Sequence, residues 1–289
     1  MAFNWQTFKT RSLTALVFAV IMLGGLLWNR WSFFLLFSVI HFGVWVEYQK
    51  LVSRFHPDYQ KIIPFHRYGI MIGGWCLLLF FTNYELQFFE LALTDIGFWG
   101  GLLFAILLPL IMFLESKNIF LTNIGYSLFG LIYISLSLAL LIELRNHWGE
   151  GIEELLLAIP ILIIFSLWIN DTMAYIVGSI AGKTPLSKIS PKKTWEGTIG
   201  GIILTILVIS LIVYFTKNFF ISITDAAIMS AIAAISGTFG DLFESKLKRM
   251  AGVKDSGNIM PGHGGFLDRF DSLLFASIFV WLYAVIFVL

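Results

Sequence analysis

The chain has 289 residues, of which 58% are hydrophobic and 13% are charged, and its mean hydropathy is +0.86. Because soluble domains carry about 25% charged residues, this composition excludes an ordinary soluble protein. The net charge of +1 gives no indication of a nucleic-acid partner, and the single cysteine, Cys76, excludes a disulfide within the chain.

Apolar runs follow one another along the whole chain, and each is long enough to cross the roughly 30 Å of hydrocarbon in a bilayer. A backbone in lipid must satisfy its own hydrogen bonds, so these runs predict helices. We predict an all-α polytopic membrane protein with about nine spans, over 13–28, 31–47, 67–82, 97–114, 124–142, 155–178, 199–216, 224–240 and 272–289. About five spans lie in an N-terminal region, 1–150, and about four in a second region, 151–289, which carries the polar motifs.

Basic residues are unevenly distributed between the two sides that these spans define. If the N-terminus is cytoplasmic, all but three of the 19 lysines and arginines are cytoplasmic, the exceptions being Arg30, Arg145 and Lys217. Since cytoplasmic loops carry an excess of Lys and Arg, we predict a cytoplasmic N-terminus and a C-terminus on the other side. Two cytoplasmic loops, 182–198 and 241–271, stand out by their polar motifs.

The longer loop, 241–271, brings carboxylates to the ends of the last two spans. If the eighth span continues as a helix into the cytoplasm, four polar residues share one of its faces: Asp241, Glu244, Ser245 and Lys248. Asp268 and Asp271 are three residues apart at the start of the ninth span. Acidic residues at span ends are costly and mark functional positions. Since Mg²⁺ prefers carboxylates with phosphate oxygens and water, the pattern predicts a divalent-cation site at the membrane surface.

The same loop carries groups that suit phosphate. Five of its side chains are basic: Lys246, Lys248, Arg249, Lys254 and Arg269. Gly264 and Gly265 allow backbone N–H groups to approach an anion closely, and the N-terminus of the ninth helix favours an anion there. His263, in the same glycine-rich stretch, is a candidate general base or phosphate contact, with a turn cap as the alternative. These residues extend the prediction to a metal-plus-phosphate site.

The shorter loop, 182–198, and the span before it supply a second group. Asn170 and Asp171 fall within the sixth span, where polar groups are costly unless they face a polar cavity. Lys192 and Lys193 precede the seventh span and are candidates to bind nucleotide or lipid phosphate. The alternative for this lysine pair is an anchor to anionic lipid, with Trp195 at the interface.

The segment "SKLKRMAGVKDSGNIMPGHGGFLDRFD", Ser245 to Asp271, resembles the pattern of phosphatidate cytidylyltransferases, also called CDP-diacylglycerol synthases. That pattern is S-x-x-K-R, then K-D, then P-x-H-G-G-x-x-D-R-x-D, and every position is filled here. The segment from Asn170 to Gly197 is similar to the family's second motif block. The resemblance is dense over 165–289, whereas in the first half of the chain it rests on hydropathy alone.

This resemblance implies that CMP passes from CTP to phosphatidate, giving CDP-diacylglycerol and pyrophosphate, in a homodimeric enzyme that requires Mg²⁺. The family's two metal-binding aspartates match Asp241 and Asp268, and a second, monovalent or divalent cation stays open. The expected catalytic set also includes Lys248, Arg249, Arg269 and His263. The expected substrate contacts are Asp171, Lys192, Lys193, Ser245, Lys254, Gly264, Gly265 and Asp271. The expected location is the bacterial inner membrane, with the active site facing the cytoplasm.

Several alternatives remain at the level of sequence. A CTP-dependent lipid kinase, or a cytidylyltransferase that acts on an isoprenoid lipid, would share these features, and the kinase would release CDP rather than pyrophosphate. An ion-coupled transporter would use carboxylates near the bilayer midplane, whereas here they cluster at one face beside basic loops. A phosphatidyl transferase would carry a D-G-x-x-A-R type helix, which the sequence lacks.

Overall fold

The structure is a computed structural model that describes residues 5–115, 121–146, 153–216, 220–259 and 264–289. Within these ranges the chain forms ten α-helices: α1 (Trp5–Leu27), α2 (Arg30–Phe55), α3 (Pro64–Phe80), α4 (Leu93–Glu115), α5 (Leu121–Gly130), α6 (Ser137–Asn146), α7 (Glu153–Ala181), α8 (Trp195–Phe215), α9 (Ile223–Met250) and α10 (Leu267–Phe287). A π-helical segment, Leu131–Leu136, joins α5 to α6, and a 3-10 turn, Pro57–Lys61, follows α2.

The prediction of a nearly all-α membrane protein is confirmed. Each of the nine predicted spans falls on a helical segment, the fifth on α5, the π-helical segment and α6 together. Among the described residues, seven segments are long and apolar enough to cross a membrane: Arg30–Phe55, Leu93–Ile111, Leu121–Asn146, Glu154–Ala181, Trp195–Phe215, Ile223–Met250 and Leu267–Phe287. Leu13–Leu27, within α1, is a shorter apolar stretch. The count of nine spans and the orientation of the termini stay predictions.

Two features go beyond the predicted elements. Helix α9 continues well past the predicted end of the eighth span to Met250, with Lys248 and Arg249 in its last turn, where positive charge favours the helix dipole. A short antiparallel hairpin, β1 (Gln87–Phe88) and β2 (Leu91–Ala92), precedes α4 and was not predicted. Both residues of its turn have positive φ, as two-residue hairpin turns require.

The chain divides into two compact units, and α9 and α10 contribute to both. Unit 1 comprises Met1–Ile142 and Leu247–Phe270, and unit 2 comprises Glu143–Lys246 and Asp271–Leu289. Unit 1 therefore contains the end of α9 and the first residues of α10, whereas unit 2 contains α7, α8 and the greater part of α9 and α10.

The core of unit 1 is built around α2. Phe33, Phe37 and Trp45 on this helix are fully buried. Ser135 of the π-helical segment accepts a hydrogen bond from Trp45 Nε1 at 2.9 Å, and its Oγ lies 2.9 Å from His41 Nε2. Buried polar groups that find partners fix the rotation of a helix as well as its depth. Helix α2 is thus a rigid support for the polar residues farther along it.

Unit 2 is held by close backbone contacts between helix pairs. A Cβ atom at Gly197 of α8 would lie 2.8 Å from the carbonyl oxygen of Ala174 on α7. Between α9 and α10, a Cβ atom at Gly240 would lie 3.1 Å from Ser272 Cα. Small residues permit such approach of helices in membranes. The contact at Gly240 sets the neighbouring residues of α9 beside the start of α10.

Candidate active site

In unit 1 the Asp268 carboxylate, in the first turn of α10, is surrounded by donors. Lys248 Nζ donates to Oδ1 at 2.7 Å, and the backbone N–H groups of Ser256 and Gly265 donate to Oδ2 at 2.9 and 2.8 Å. The Asp268 side chain is only 6% exposed and that of Lys248 13%. Charge-assisted hydrogen bonds of this kind are short and strong, so the carboxylate is held in one orientation.

Gly264 shapes the backbone next to this carboxylate. Its φ is +85°, a value that side chains disfavour, and a Cβ atom there would lie 2.9 Å from Asp268 Cγ. The sequence predicted that Gly264 and Gly265 allow close approach to an anion. Within the described residues, the anion that Gly265 N–H approaches is the Asp268 carboxylate.

A second buried carboxylate, Glu47 of α2, belongs to the same cluster in unit 1. It accepts hydrogen bonds from the backbone N–H groups of Phe266 and Leu267 at 2.9 and 2.8 Å, and from Ser256 Oγ at 2.6 Å. The sequence analysis missed Glu47. An acidic residue at the end of the apolar run 31–47 is costly, and that cost is the signal that could have identified it.

In unit 2 three carboxylates come together. The side chains of Asp241 and Glu244 on α9 and Asp271 on α10 each place an oxygen within 4.8 Å of the others, and Glu244 and Asp271 are buried. Ser245 Oγ lies 3.4 Å from Asp241 Oδ1, and Lys193 forms an ion pair with Asp241. The structure thus confirms the shared face of α9 and shows that Asp241, Glu244 and Asp271 form a group of carboxylates that could hold a cation.

Glu196, in the first turn of α8, holds together the two ends of the loop between α7 and α8. Its carboxylate accepts hydrogen bonds from Lys183 N at 3.2 Å, from Thr184 N at 3.1 Å and from Thr184 Oγ1 at 2.8 Å. Leu186 N donates to the carbonyl oxygen of Lys193 at 2.7 Å, so the two sides of the loop pair. These contacts fix the turn that carries the two predicted lysines.

Six of the remaining predicted site residues are exposed: Asp171, Lys192, Lys246, Arg249, Lys254 and Arg269. Arg249 Nη1 donates to the carbonyl oxygen of Val253 at 3.3 Å. Asn170, next to Asp171, is 5% exposed. His263 lies outside the described residues. Asp241 and Asp268 belong to different units, and the expectation that they hold one metal stays a prediction.

Residues 9–287 match a family model described as the cytidylyltransferase family. The chain belongs to the cytidylyltransferase family. It is similar to the phosphatidate cytidylyltransferase of Bacillus subtilis (strain 168), with 33% identity over 281 residues, 96% of this chain and 98% of the relative. The phosphatidate cytidylyltransferase of Aquifex aeolicus (strain VF5) is 35% identical over 196 residues, 68% of this chain and 70% of the relative.

These matches confirm the resemblance inferred from Ser245–Asp271. The phosphatidate cytidylyltransferase of Staphylococcus saprophyticus is 41% identical over 162 residues, 55% of this chain and 59% of the relative. The match to the cytidylyltransferase family begins at residue 9, so it also includes α2 and Glu47, where the motifs gave no indication.

Proposed function

We propose that this member of the cytidylyltransferase family transfers CMP from CTP to phosphatidate, giving CDP-diacylglycerol and pyrophosphate. The observation that carries the proposal is the similarity along the whole chain to the phosphatidate cytidylyltransferase of Bacillus subtilis, at 33% identity over 96% of this chain. The complete motif at Ser245–Asp271 and the charged groups that the fold gathers around it support the same reaction.

The reaction needs positioning more than proton transfer. An oxygen of the phosphatidate phosphate attacks the α-phosphorus of CTP, the bond from that phosphorus to the bridging oxygen of the β-phosphate breaks, and pyrophosphate leaves. Because the attacking oxygen is already anionic at neutral pH, no general base is required. The protein contributes by aligning the reactants and offsetting their negative charge. His263 is therefore not needed as a base, and a phosphate contact and a turn cap stay open for it.

The carboxylates of unit 2 fit Mg²⁺. Asp241, Glu244 and Asp271 offer the oxygen ligands that this ion prefers, and their oxygens lie within 4.8 Å of one another. When bound, Mg²⁺ would draw charge from the CTP phosphates and the leaving pyrophosphate. Asp268 stays a ligand expected from the resemblance, and a second cation stays open.

Basic residues beside the carboxylates suit the phosphate groups. Lys193 and Lys248 each pair with one aspartate, Asp241 and Asp268, so each carboxylate has a positive charge next to it. Three exposed cations of the same segments are available to the triphosphate and to the lipid phosphate: Lys192, Arg249 and Arg269. We assign the neutralisation of substrate charge to this set.

The lipid side of the reaction has a matching apolar surface in unit 1. A pocket of about 410 Å³ is lined by residues that include Val17, Phe18, Ile259, Phe266 and Phe270. Phe266 and Phe270 flank Asp268 in the sequence, so an acyl chain in this pocket would leave its phosphate near the start of α10. We infer a site at the cytoplasmic face of a bacterial inner membrane, in accord with the distribution of basic residues, and a homodimer from the resemblance.

Product analysis tests the proposal. The detergent-purified protein is given phosphatidate, Mg²⁺ and labelled CTP, and CDP-diacylglycerol and pyrophosphate are expected in equal amounts. D268N is expected to abolish the product, whereas D58N, which alters a carboxylate paired with Lys61 on the 3-10 turn, keeps it. Release of CDP would indicate a kinase, and folded protein without either product would overturn the assignment.

A further inference from the structure

Glu47 is a buried carboxylate to which the proposed reaction gives no role. Glu47 is 6% exposed, yet its hydrogen-bond donors among the described residues all belong to the motif segment, Ser245–Asp271, more than 200 residues away. They are Ser256, Phe266 and Leu267, with sequence separations of 209, 219 and 220. A buried carboxylate is tolerated only where such donors satisfy it. Glu47 and the motif segment thus depend on each other.

Two of these bonds cap helix α10. The first N–H groups of a helix have no partner within the helix and carry its positive dipole end. Ser, Thr, Asp and Asn are preferred at the N-cap because their side chains accept a hydrogen bond from one of these N–H groups. Phe266, the residue before α10, has no acceptor in its side chain. The carboxylate of Glu47, on α2, accepts these hydrogen bonds in place of an N-cap side chain. It thereby fixes the position at which α10 begins, one residue before Asp268.

The third bond connects Glu47 to Asp268. Ser256 Oγ lies 2.6 Å from Glu47 Oε2 and 2.9 Å from Asp268 Oδ2. The backbone N–H of Ser256 also donates to Asp268 Oδ2, at 2.9 Å. Ser256 is 9% exposed and contacts both carboxylates. A displacement of Glu47 would therefore move Ser256, and Ser256 would move the Asp268 carboxylate.

Two glycines leave room for the Glu47 carboxylate. A Cβ atom at Gly257 would lie 2.7 Å from Glu47 Cδ, and one at Gly265 would collide with the carboxylate itself. Neither glycine has a positive φ within the described backbone, so their small size, rather than a special conformation, is what the contact needs. The motif segment is packed directly around Glu47.

We propose that Glu47 is a positioning residue for Asp268. It sets the start of α10 and, through Ser256, the orientation of the Asp268 carboxylate toward cation and substrate. This inference rests on the proposed function, because it takes Asp268 to be a cation ligand. A purely structural role for Glu47 would change stability alone, whereas a positioning role changes cation binding and turnover as well.

The test compares three variants in detergent-purified, full-length protein. E47Q keeps the shape of the side chain but turns an amide N–H₂ toward groups that are themselves donors. S256A removes the bridge, together with the acceptor that Ser256 Oγ offers to the Asp268 N–H at 3.3 Å, and leaves both backbone bonds to Glu47. Q49M is the matched control, since Gln49 is also buried on α2 but donates to the carbonyl oxygen of Arg67 at 3.0 Å, away from the motif segment.

Three quantities are measured: Mn²⁺ binding by electron paramagnetic resonance without CTP, kcat and KM for CTP, and thermal stability. Mn²⁺ prefers the same oxygen ligands as Mg²⁺. Loss of a residue that orients a metal ligand typically costs about 10–100-fold in metal affinity or activity. We expect a loss of this size in E47Q, a smaller loss in S256A, and wild-type Mn²⁺ affinity and kcat in Q49M.

The outcomes separate this inference from the proposed function. Wild-type Mn²⁺ affinity and kcat in E47Q would overturn the inference alone, whatever the change in thermal stability. If E47Q does not fold, S256A decides, and wild-type values in S256A would overturn it equally. A wild-type protein that neither binds Mn²⁺ nor forms CDP-diacylglycerol would instead overturn the proposed function, and the inference with it.

Discussion

The two carboxylate clusters of the motif segments differ in how their charge is offset. In unit 1, the Asp268 carboxylate accepts hydrogen bonds from the Lys248 ammonium and from two backbone N–H groups. Glu47 beside it also accepts a hydrogen bond from a backbone N–H group. In unit 2, Asp241, Glu244 and Asp271 lie within 4.8 Å of one another, and Lys193 pairs with Asp241. Asp268 and Asp271 are one helical turn apart on α10, yet only Asp271 has two other carboxylates within 4.8 Å among the described residues.

The difference indicates a division of roles within one motif. A carboxylate that protein donors already satisfy keeps its geometry in the absence of any ligand. Carboxylates that lie close together repel one another, and a cation bound between them relieves that repulsion. We therefore expect substitutions in the unit 1 cluster to lower the stability of the cation-free protein as well as cation binding, and substitutions in the unit 2 cluster to lower the stabilisation that a bound cation gives.

The largest effect is expected from D268N. Removing one partner of a buried ion pair leaves the other uncompensated and costs about 3–5 kcal/mol of unfolding free energy. Here the uncompensated group is Lys248, whose side chain is 13% exposed. Denaturant unfolding in detergent measures the change. D58N, in an exposed pair with Lys61, is the control and should leave the free energy of unfolding nearly unchanged. Equal losses of unfolding free energy in D268N and D58N would contradict the contribution of the unit 1 cluster to stability.

The second-largest loss of unfolding free energy, about 3 kcal/mol, is expected for G264A. The alanine would have a strained φ, and its Cβ atom would also collide with Asp268. G252A separates the two causes. Gly252 also has a positive φ, +67°, but a Cβ atom there would meet nothing within 4 Å. The φ penalty alone is about 1–2 kcal/mol. Unfolding and product formation are measured together, and only G264A should reduce the product. Identical behaviour of the two variants would count against the contact with Asp268.

D271N should remove most of the stabilisation that a bound cation gives, because it replaces one of three neighbouring carboxylate ligands by an amide. With Mn²⁺ at about 100 times its Kd, the wild-type protein should gain about 2.7 kcal/mol, and D271N much less. Thermal unfolding with chelator and with Mn²⁺ measures both. An equal gain in the two proteins would exclude Asp271 from the cation site.

The smallest effect is expected from the lysines before α8. Lys193 pairs with Asp241 and would compete with a cation there, whereas Lys192 is exposed beside it. The pair is partly exposed and contributes about 1 kcal/mol at most, so K193A should raise Mn²⁺ affinity by about 5-fold or less. K192A serves as the control and should leave Mn²⁺ affinity unchanged. Weaker Mn²⁺ binding in K193A would contradict a cation site at Asp241.

Local patterns in the sequence predicted the helices and the chemistry of the site. The apolar runs predicted helical segments, because a backbone in lipid must form its own hydrogen bonds. The structure confirms these segments. The spacing of Asp241 and Glu244 predicted their shared face, because a helix repeats every 3.6 residues. The hairpin Gln87–Ala92 was missed, since two pairs of residues carry too little periodicity to indicate strands.

The sequence by itself determined the membrane class, the helical content and, through the motif from Ser245 to Asp271, the family. Only the tertiary structure decided which charges meet: Lys248 with Asp268, Lys193 with Asp241, and Glu47 with the start of α10. The physical reason is distance along the chain. Helix propensity and spacing act over a few residues, whereas Glu47 and Leu267 are 220 residues apart and meet because the packing of unit 1 brings them together.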